Sequence, residues 1–141
     1  MEELTIRPAT RDDAAALLPL ARAFVTSFPL DEAAFRRSFV RLLDDEQACL
    51  FAADAGPVVG YLLGFVHDTF FANGPVGWVE ELMVQEAWRR RRVGERLMRA
   101  FERWAEARGC RMVALATRRA ATFYQALGYD ESATYFRRLL P

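Results

Sequence analysis

Residues 78–109 read WVEELMVQEAWRRRRVGERLMRAFERWAEARG, and they constrain the fold more than any other stretch. Val79, Leu82, Met83 and Val84 make an apolar run of strand length. Arg89, Arg90, Arg91 and Arg92 place four cations where a helix is about to begin. Leu97, Ala100, Phe101, Trp104 and Ala107 then recur at helical spacing, and Gly109 is a natural stop after the last turn. Arg111 to Ala116 is a further apolar strand, so a strand, a crossover helix and a strand predict a parallel, right-handed pairing. A helix N-terminus offers free backbone N–H groups and a partial positive charge. Arginines just before it add bidentate donors, and the combination suits a phosphate-bearing ligand.

The flanking segments supply the remaining elements. Leu4 and Ile6 suggest a first strand ended by Pro8, and Thr10 to Asp13 has the form of a capping box. Leu17, Leu18, Ala21, Phe24 and Val25 follow a helical face in which Pro19 predicts a bend or a short helix. Asp31 can cap a second helix with Phe35, Phe39, Leu42 and Leu43 on one side. Residues 47–53 and 58–66 flank the turn signal Asp54-Ala55-Gly56-Pro57 and read as an antiparallel hairpin. His67 to Pro75 reads as a loop, Ala120 to Leu127 as a short helix closed by Gly128, and Ala133 to Leu140 as a last strand. The order β-α-α-β-β-β-α-β-α-β predicts an α/β (α+β) sandwich around one sheet.

Composition narrows the function classes. A chain of 141 residues, 52% hydrophobic, is expected to form one domain, residues 1–141, with a single filled core. The nineteen Lys and Arg side chains, all arginine, balance nineteen acids, which argues against a dedicated nucleic-acid binder. Cys49 and Cys110 lie far apart in apolar runs and read as buried thiols. The lone His67 has no second histidine or nearby cysteine, so no metal site is expected. The acidic opening is unlike a signal peptide, and no apolar run reaches a membrane-spanning length of about 20 residues, so a cytoplasmic protein is expected.

The pattern Val84-x4-Arg89-x-x-Arg92-x-Gly94, followed by a helix, resembles the cofactor motif of the GNAT acetyltransferases. In that family the loop reads Gln/Arg-x-x-Gly-x-Gly/Ala, and its amides bind the pyrophosphate of acetyl-CoA. Arg92 stands where the family has its middle glycine. Glycine there tolerates positive φ, whereas an arginine is expected to close on phosphate in an ordinary conformation. A second segment, Ala120-x-x-Phe123-Tyr124-x-x-Leu127-Gly128-Tyr129, is similar to the one following the family's fifth strand, with Thr117 replacing its usual Asn. The resemblance implies a single mixed, mostly antiparallel sheet of about six or seven strands, with four helices on its two faces. It also implies a splay between the fourth and fifth strands.

The implied activity is acetyl-CoA-dependent transfer, without a metal, to a primary amine of a small molecule or peptide. Implied cofactor-binding residues are Leu82, Met83, Val84, Arg89, Arg90, Arg91, Arg92, Val93, Gly94, Glu95, Thr117, Phe123 and Tyr124. Tyr124 is the candidate acid for the leaving thiolate; as a helix-face aromatic it could equally be core. Strand alternation puts Trp78, Glu80, Leu82 and Val84 on one face and Val79, Glu81 and Met83 on the other. One of Glu80 and Glu81 must therefore enter the more enclosed face, where a carboxylate becomes a better base. Family analogy favours Glu80, and a solvated strand glutamate is the alternative. Phe28, Phe35, Phe70 and Glu80 are candidate acceptor contacts, suited to an amine with an apolar body. Homodimers are common among relatives. Two rival readings remain open: a CoA-binding sensor without turnover, and a nucleic-acid-binding domain using Arg89 to Arg92, whose affinity would fall steeply with salt.

Overall fold

The computed structural model describes residues 3–25 and 27–141. Among the described residues, five strands form one sheet in the order β1-β2-β3-β4-β5: β1 Thr5–Pro8, β2 Ala48–Asp54, β3 Val58–Thr69, β4 Gly74–Val84 and β5 Val113–Leu115. The first three pairings are antiparallel and the β4–β5 pairing is parallel. Four helices accompany the sheet: α1 Ala14–Phe24, α2 Glu32–Asp44, α3 Val93–Ala107 and α4 Ala121–Ala126.

Two apolar cores lie on opposite faces of the sheet. On one, α3 inserts Leu97, Met98 and Phe101 among Val59, Leu62 and Val79. On the other, α1 and α2 pack Leu17, Ala21 and Phe39 against Ala52, Tyr61 and Leu63. Gly64 fixes how closely α3 approaches: a Cβ there would lie 2.3 Å from Phe101 Cε1. The edge near β1 is tied by Arg7, which donates to Asp13 at 2.8 and 2.9 Å and to Asp54 at 3.0 Å. These bonds hold both carboxyls below the usual carboxylate range.

Two expectations change. The sheet has five strands, not six or seven, because Ala133 to Leu140 forms no strand. Its pattern, Tyr135-Phe136-Arg137-Arg138-Leu139-Leu140, runs in pairs rather than alternating, so neither face of a strand would be consistently apolar. Tyr135, Phe136, Leu139 and Leu140 are all exposed, and Arg137 donates to Ser27 Oγ at 2.6 Å. Second, β3 and β4 run further than expected. His67 pairs with Val76 inside the ladder, and only residues 70–73 make the turn, where Asn73 takes φ 58. The α1 helix carries Pro19 inside its 11 residues, on its exposed side. Asp31 caps α2 as expected, accepting from Ala34 N–H at 3.0 Å.

Candidate active site

The strand–loop–helix unit is built as the sequence predicts, with one inversion. Arg92 is the N-cap of α3 and adopts φ 64, ψ 16, the left-handed region, and Arg90 also has φ 64. The loop therefore reaches a glycine-like conformation with arginine, at a cost of order 1–2 kcal/mol per residue. Surrounding contacts hold it there. Val93 is buried beneath the loop, the Arg91 guanidinium lies 4.8 Å from the Trp88 ring centroid, and Arg89 Nε donates to the Val84 carbonyl at 3.3 Å. No side chain caps α3, and its first bond runs from Arg96 N–H to the Arg92 carbonyl. The amides of Val93, Gly94 and Glu95 thus remain for a ligand, beneath four exposed guanidiniums.

Gly94 is needed for packing rather than for its φ. A Cβ there would sit 3.1 Å from Phe123 Cζ, so the first turn of α3 and α4 are seated directly on each other. Phe123 and Tyr124 meet edge-on at 4.9 Å between centroids. A second tether fixes the far end of α4. Arg99 donates to both Glu102 oxygens at 3.0 and 3.1 Å and to the Leu127 carbonyl at 3.1 Å, and Tyr129 OH donates to Glu102 at 2.6 Å. Tyr124 is half-buried, and burial alone pushes its phenol pKa up, which keeps it protonated. Thr117 spends its hydroxyl as an acceptor for Ala120 N–H at 3.1 Å, turning the chain into α4.

The strands β4 and β5 pair only at Gly77–Val113, Trp78–Ala114 and Val79–Leu115. Beyond Val79 the edge of β4 lacks a β5 partner. Gln85 N–H donates to the Val59 carbonyl at 2.7 Å, so the alternation of the ladder turns Met83 toward β3 and turns Leu82 and Val84 toward the gap. Among the described residues this edge at Leu82 and Val84 has no strand partner, and the Val84 carbonyl accepts from Arg89 Nε.

The two glutamates are separated by a bulge that the sequence pattern concealed. Leu63 pairs with Glu81 and Gly64 with Val79, leaving Glu80 as an extra residue in β4. The simple alternation expected for Trp78 to Val84 therefore fails. Val79, Leu82 and Val84 pack on the α3 side, whereas Met83 packs on the α1–α2 side. Glu81 turns inward and Glu80 is exposed. Glu81 Oε1 accepts from Tyr61 OH at 2.7 Å. Burial raises the Glu81 pKa, the Tyr61 bond opposes that rise, and neighbouring Glu80 adds to it.

Glu81 and Tyr61 form the floor of a pocket of about 260 Å³ between α1, α2 and the sheet. Phe35, one of the candidate acceptor contacts, lines it. Phe28 and Phe70 do not: they are 63% and 102% exposed. Tyr61 was not singled out from the sequence. Its signal was available, because it is the only residue of Val58 to Val66 with a polar side-chain atom. Among the described residues, no group of three or more His, Cys, Asp or Glu could hold a metal ion. No described helix is long and apolar enough to cross a membrane.

Comparison with known proteins bears on this geometry. Residues 15–129 match the Acetyltransferase (GNAT) family. The chain is 33% identical to aminoglycoside N(6')-acetyltransferase type 1 of Stenotrophomonas maltophilia, over 94% of this chain and 92% of that protein. It is 34% identical to glucosamine 6-phosphate N-acetyltransferase 1 of Oryza sativa subsp. japonica, over 92% of this chain and 83% of that protein. Among solved structures, an aminoglycoside N-acetyltransferase in complex with CoA shares the fold at TM-score 0.84 and 24% identity, covering 98% of this chain and 96% of that one.

Proposed function

This chain belongs to the Acetyltransferase (GNAT) family, and from that premise we infer an acetyl-CoA-dependent N-acetyltransferase that acts on a small-molecule primary amine. The observation that carries the reading is the order of the parts along the chain. The inward Glu81, the unpaired edge of β4 and the uncapped N-terminus of α3 come in turn from one strand–loop–helix unit.

In this reading the amides of Val93 to Glu95 hold the pyrophosphate and Arg89 to Arg92 neutralise it. The edge of β4 at Leu82 and Val84 pairs with the pantetheine arm, and an N–H there faces the thioester oxygen as negative charge develops. Glu81 is the base. An alkylamine with a pKa near 10.4 arrives mostly protonated, so a carboxylate at the pocket floor both attracts it and accepts a proton, directly or through a water. The neutral nitrogen attacks the carbonyl carbon, the C–N bond forms and the C–S bond breaks. Tyr124 donates to the departing sulfur, so the proton that the amine releases to Glu81 balances the one the thiolate takes up. Thr117 contributes by starting α4, and Phe123 by seating it.

Glu80 on its exposed bulge belongs to the outer wall in this account, which moves the base from Glu80 to Glu81. The reading extends to one catalytic domain over residues 1–141 and a cytoplasmic setting. Peptide acceptors and a homodimer are compatible with it but carry none of its support. A CoA sensor without turnover is less favoured, because Arg92 reaches the conformation a glycine would supply.

The test is a thermal shift of the purified protein with acetyl-CoA, CoA and ATP, followed by thiol release in the presence of amines. A ligand at ~100 times its Kd stabilises by about 2.7 kcal/mol, a shift of a few degrees. A rise with acetyl-CoA and CoA but not ATP, and amine-dependent thiol release, are expected. No shift at millimolar ligand would overturn the reading.

A further inference from the structure

We propose that the pocket between α1, α2 and the sheet selects a monoamine carried on an apolar body, in class a short arylalkylamine, over phosphorylated or polycationic amino sugars. The proposal rests on the acetyltransferase reading and narrows its acceptor.

Three observations carry it. First, the walls are hydrocarbon: Leu17, Ala21, Leu30, Phe35, Phe39 and Leu63 surround the cavity. A sugar placed there would leave several hydroxyls without partners, each costing about 1–3 kcal/mol. Second, the polar groups are few and mostly engaged. Tyr61 OH is spent on Glu81, and Asp31 already accepts from Ala34 N–H. Third, the charge is of one sign. Glu81 at the floor and Asp31 are the only ionisable acids or bases of the lining other than the Tyr61 phenol, and no arginine lines it. None of the cations of α1 and α2 lines the pocket: Arg22 and Arg36 approach Glu32 at 3.8 and 3.2 Å, and Arg37 and Arg41 stand outside the lining. A phosphate would therefore meet two carboxylates and no counter-charge. A polycation would find one buried acid, Glu81, and for its other amines only the exposed Asp31, whose carboxylate already accepts from Ala34 N–H. A single ammonium beside Glu81, with its ring against Phe35 and Leu17, matches the one buried charge and the apolar walls. The volume, about 260 Å³, lies just below the roughly 300–1,000 Å³ of sites for drug-sized ligands, which matches a one-ring amine.

The experiment measures kcat/KM with acetyl-CoA for 2-phenylethylamine, glucosamine 6-phosphate and kanamycin, and the binding of 2-phenylethylamine to the protein–CoA complex by calorimetry. The expected result is a preference of at least ~100-fold for 2-phenylethylamine, the ratio that one or two unpaired buried polar groups impose. Ser38→Arg puts a cation on an exposed part of the lining and should lower kcat/KM for that amine at least ~10-fold through KM, with the KM for acetyl-CoA unchanged. Preference for glucosamine 6-phosphate or kanamycin would overturn the inference and leave the acetyltransferase reading standing. Failure of 2-phenylethylamine both to react and to bind would also overturn it. The thermal shift with acetyl-CoA reports the parent reading independently.

Discussion

Replacing Tyr61 by Phe removes one oxygen and with it the 2.7 Å bond to Glu81, while the ring keeps its place in the core beside Leu63. The bond favours the ionised carboxylate, against the burial that disfavours it. A hydrogen bond to a charged group contributes about 1.5–3 kcal/mol, so its loss lowers the ionised fraction of Glu81 by roughly 10- to 150-fold wherever the carboxyl is mostly protonated. The assay is the pH profile of kcat/KM for an accepted amine under saturating acetyl-CoA. In Tyr61→Phe the acidic limb moves to higher pH. Well below the limb the rate falls by that factor, and above it the rate returns to within a few-fold of the parent. Tyr61 is thus a positioning residue, acting through Glu81. A uniform drop at every pH with the limb unmoved would refute the argument, because that is what loss of packing alone produces.

Other outcomes follow from the same geometry. Gly64→Ala drives a methyl into Phe101, and since overpacking costs about 1–3 kcal/mol, calorimetry should record a Tm lower by several degrees; an unchanged Tm would mean that α3 can shift freely. Arg92→Gly relieves a left-handed arginine but loosens the unfolded chain, so stability should stay level or rise by about 1 kcal/mol, with CoA affinity reduced only by the lost charge. A marked fall in Tm would show that the arginine side chain holds the loop. Glu81 also leaves a mark on stability. Its folded pKa is raised above the ordinary 4.5, so the folded state binds the extra proton. Its stabilising contribution is complete below pH 4.5 and is lost as pH rises through the folded value. Glu81→Gln should flatten that slope in Tm against pH, and an unaltered slope would place the carboxyl in water. Asp13, whose pKa is lowered by Arg7, acts in the opposite sense, its stabilisation being lost as pH falls.

The parts of the fold that the sequence made legible are those written in a local period. The helical face from Leu97 to Ala107, the hairpin around Gly56 and the Asp31 cap are decided by neighbours in the chain. The unit proposed to hold the cofactor was legible as structure for the same reason, since a strand, a basic loop and a helix are contiguous. What escaped depends on pairing across the sheet. The bulge at Glu80 exists because of how β4 registers with β3, and nothing in WVEELMV announces it. That single extra residue decides which glutamate faces the pocket. Tyr61 was missed because its partner lies 20 residues away. The C-terminal run has strand propensity but no partner edge to pair with, and β5 is only three residues long. The left-handed Arg92 opposes a sound local rule and is imposed by its surroundings, as strained residues at ligand loops commonly are.

The claim on which the chemistry turns is that Glu81, not Glu80, takes the proton from the amine. It is tested by comparing kcat and acetyl-CoA affinity for Glu81→Gln and Glu80→Gln with the same amine. A general base contributes about 10²–10⁴-fold, so Glu81→Gln should lose that much in kcat with acetyl-CoA affinity intact, while Glu80→Gln stays within a few-fold of the parent. The reverse pattern, or two equal small losses, would contradict the account.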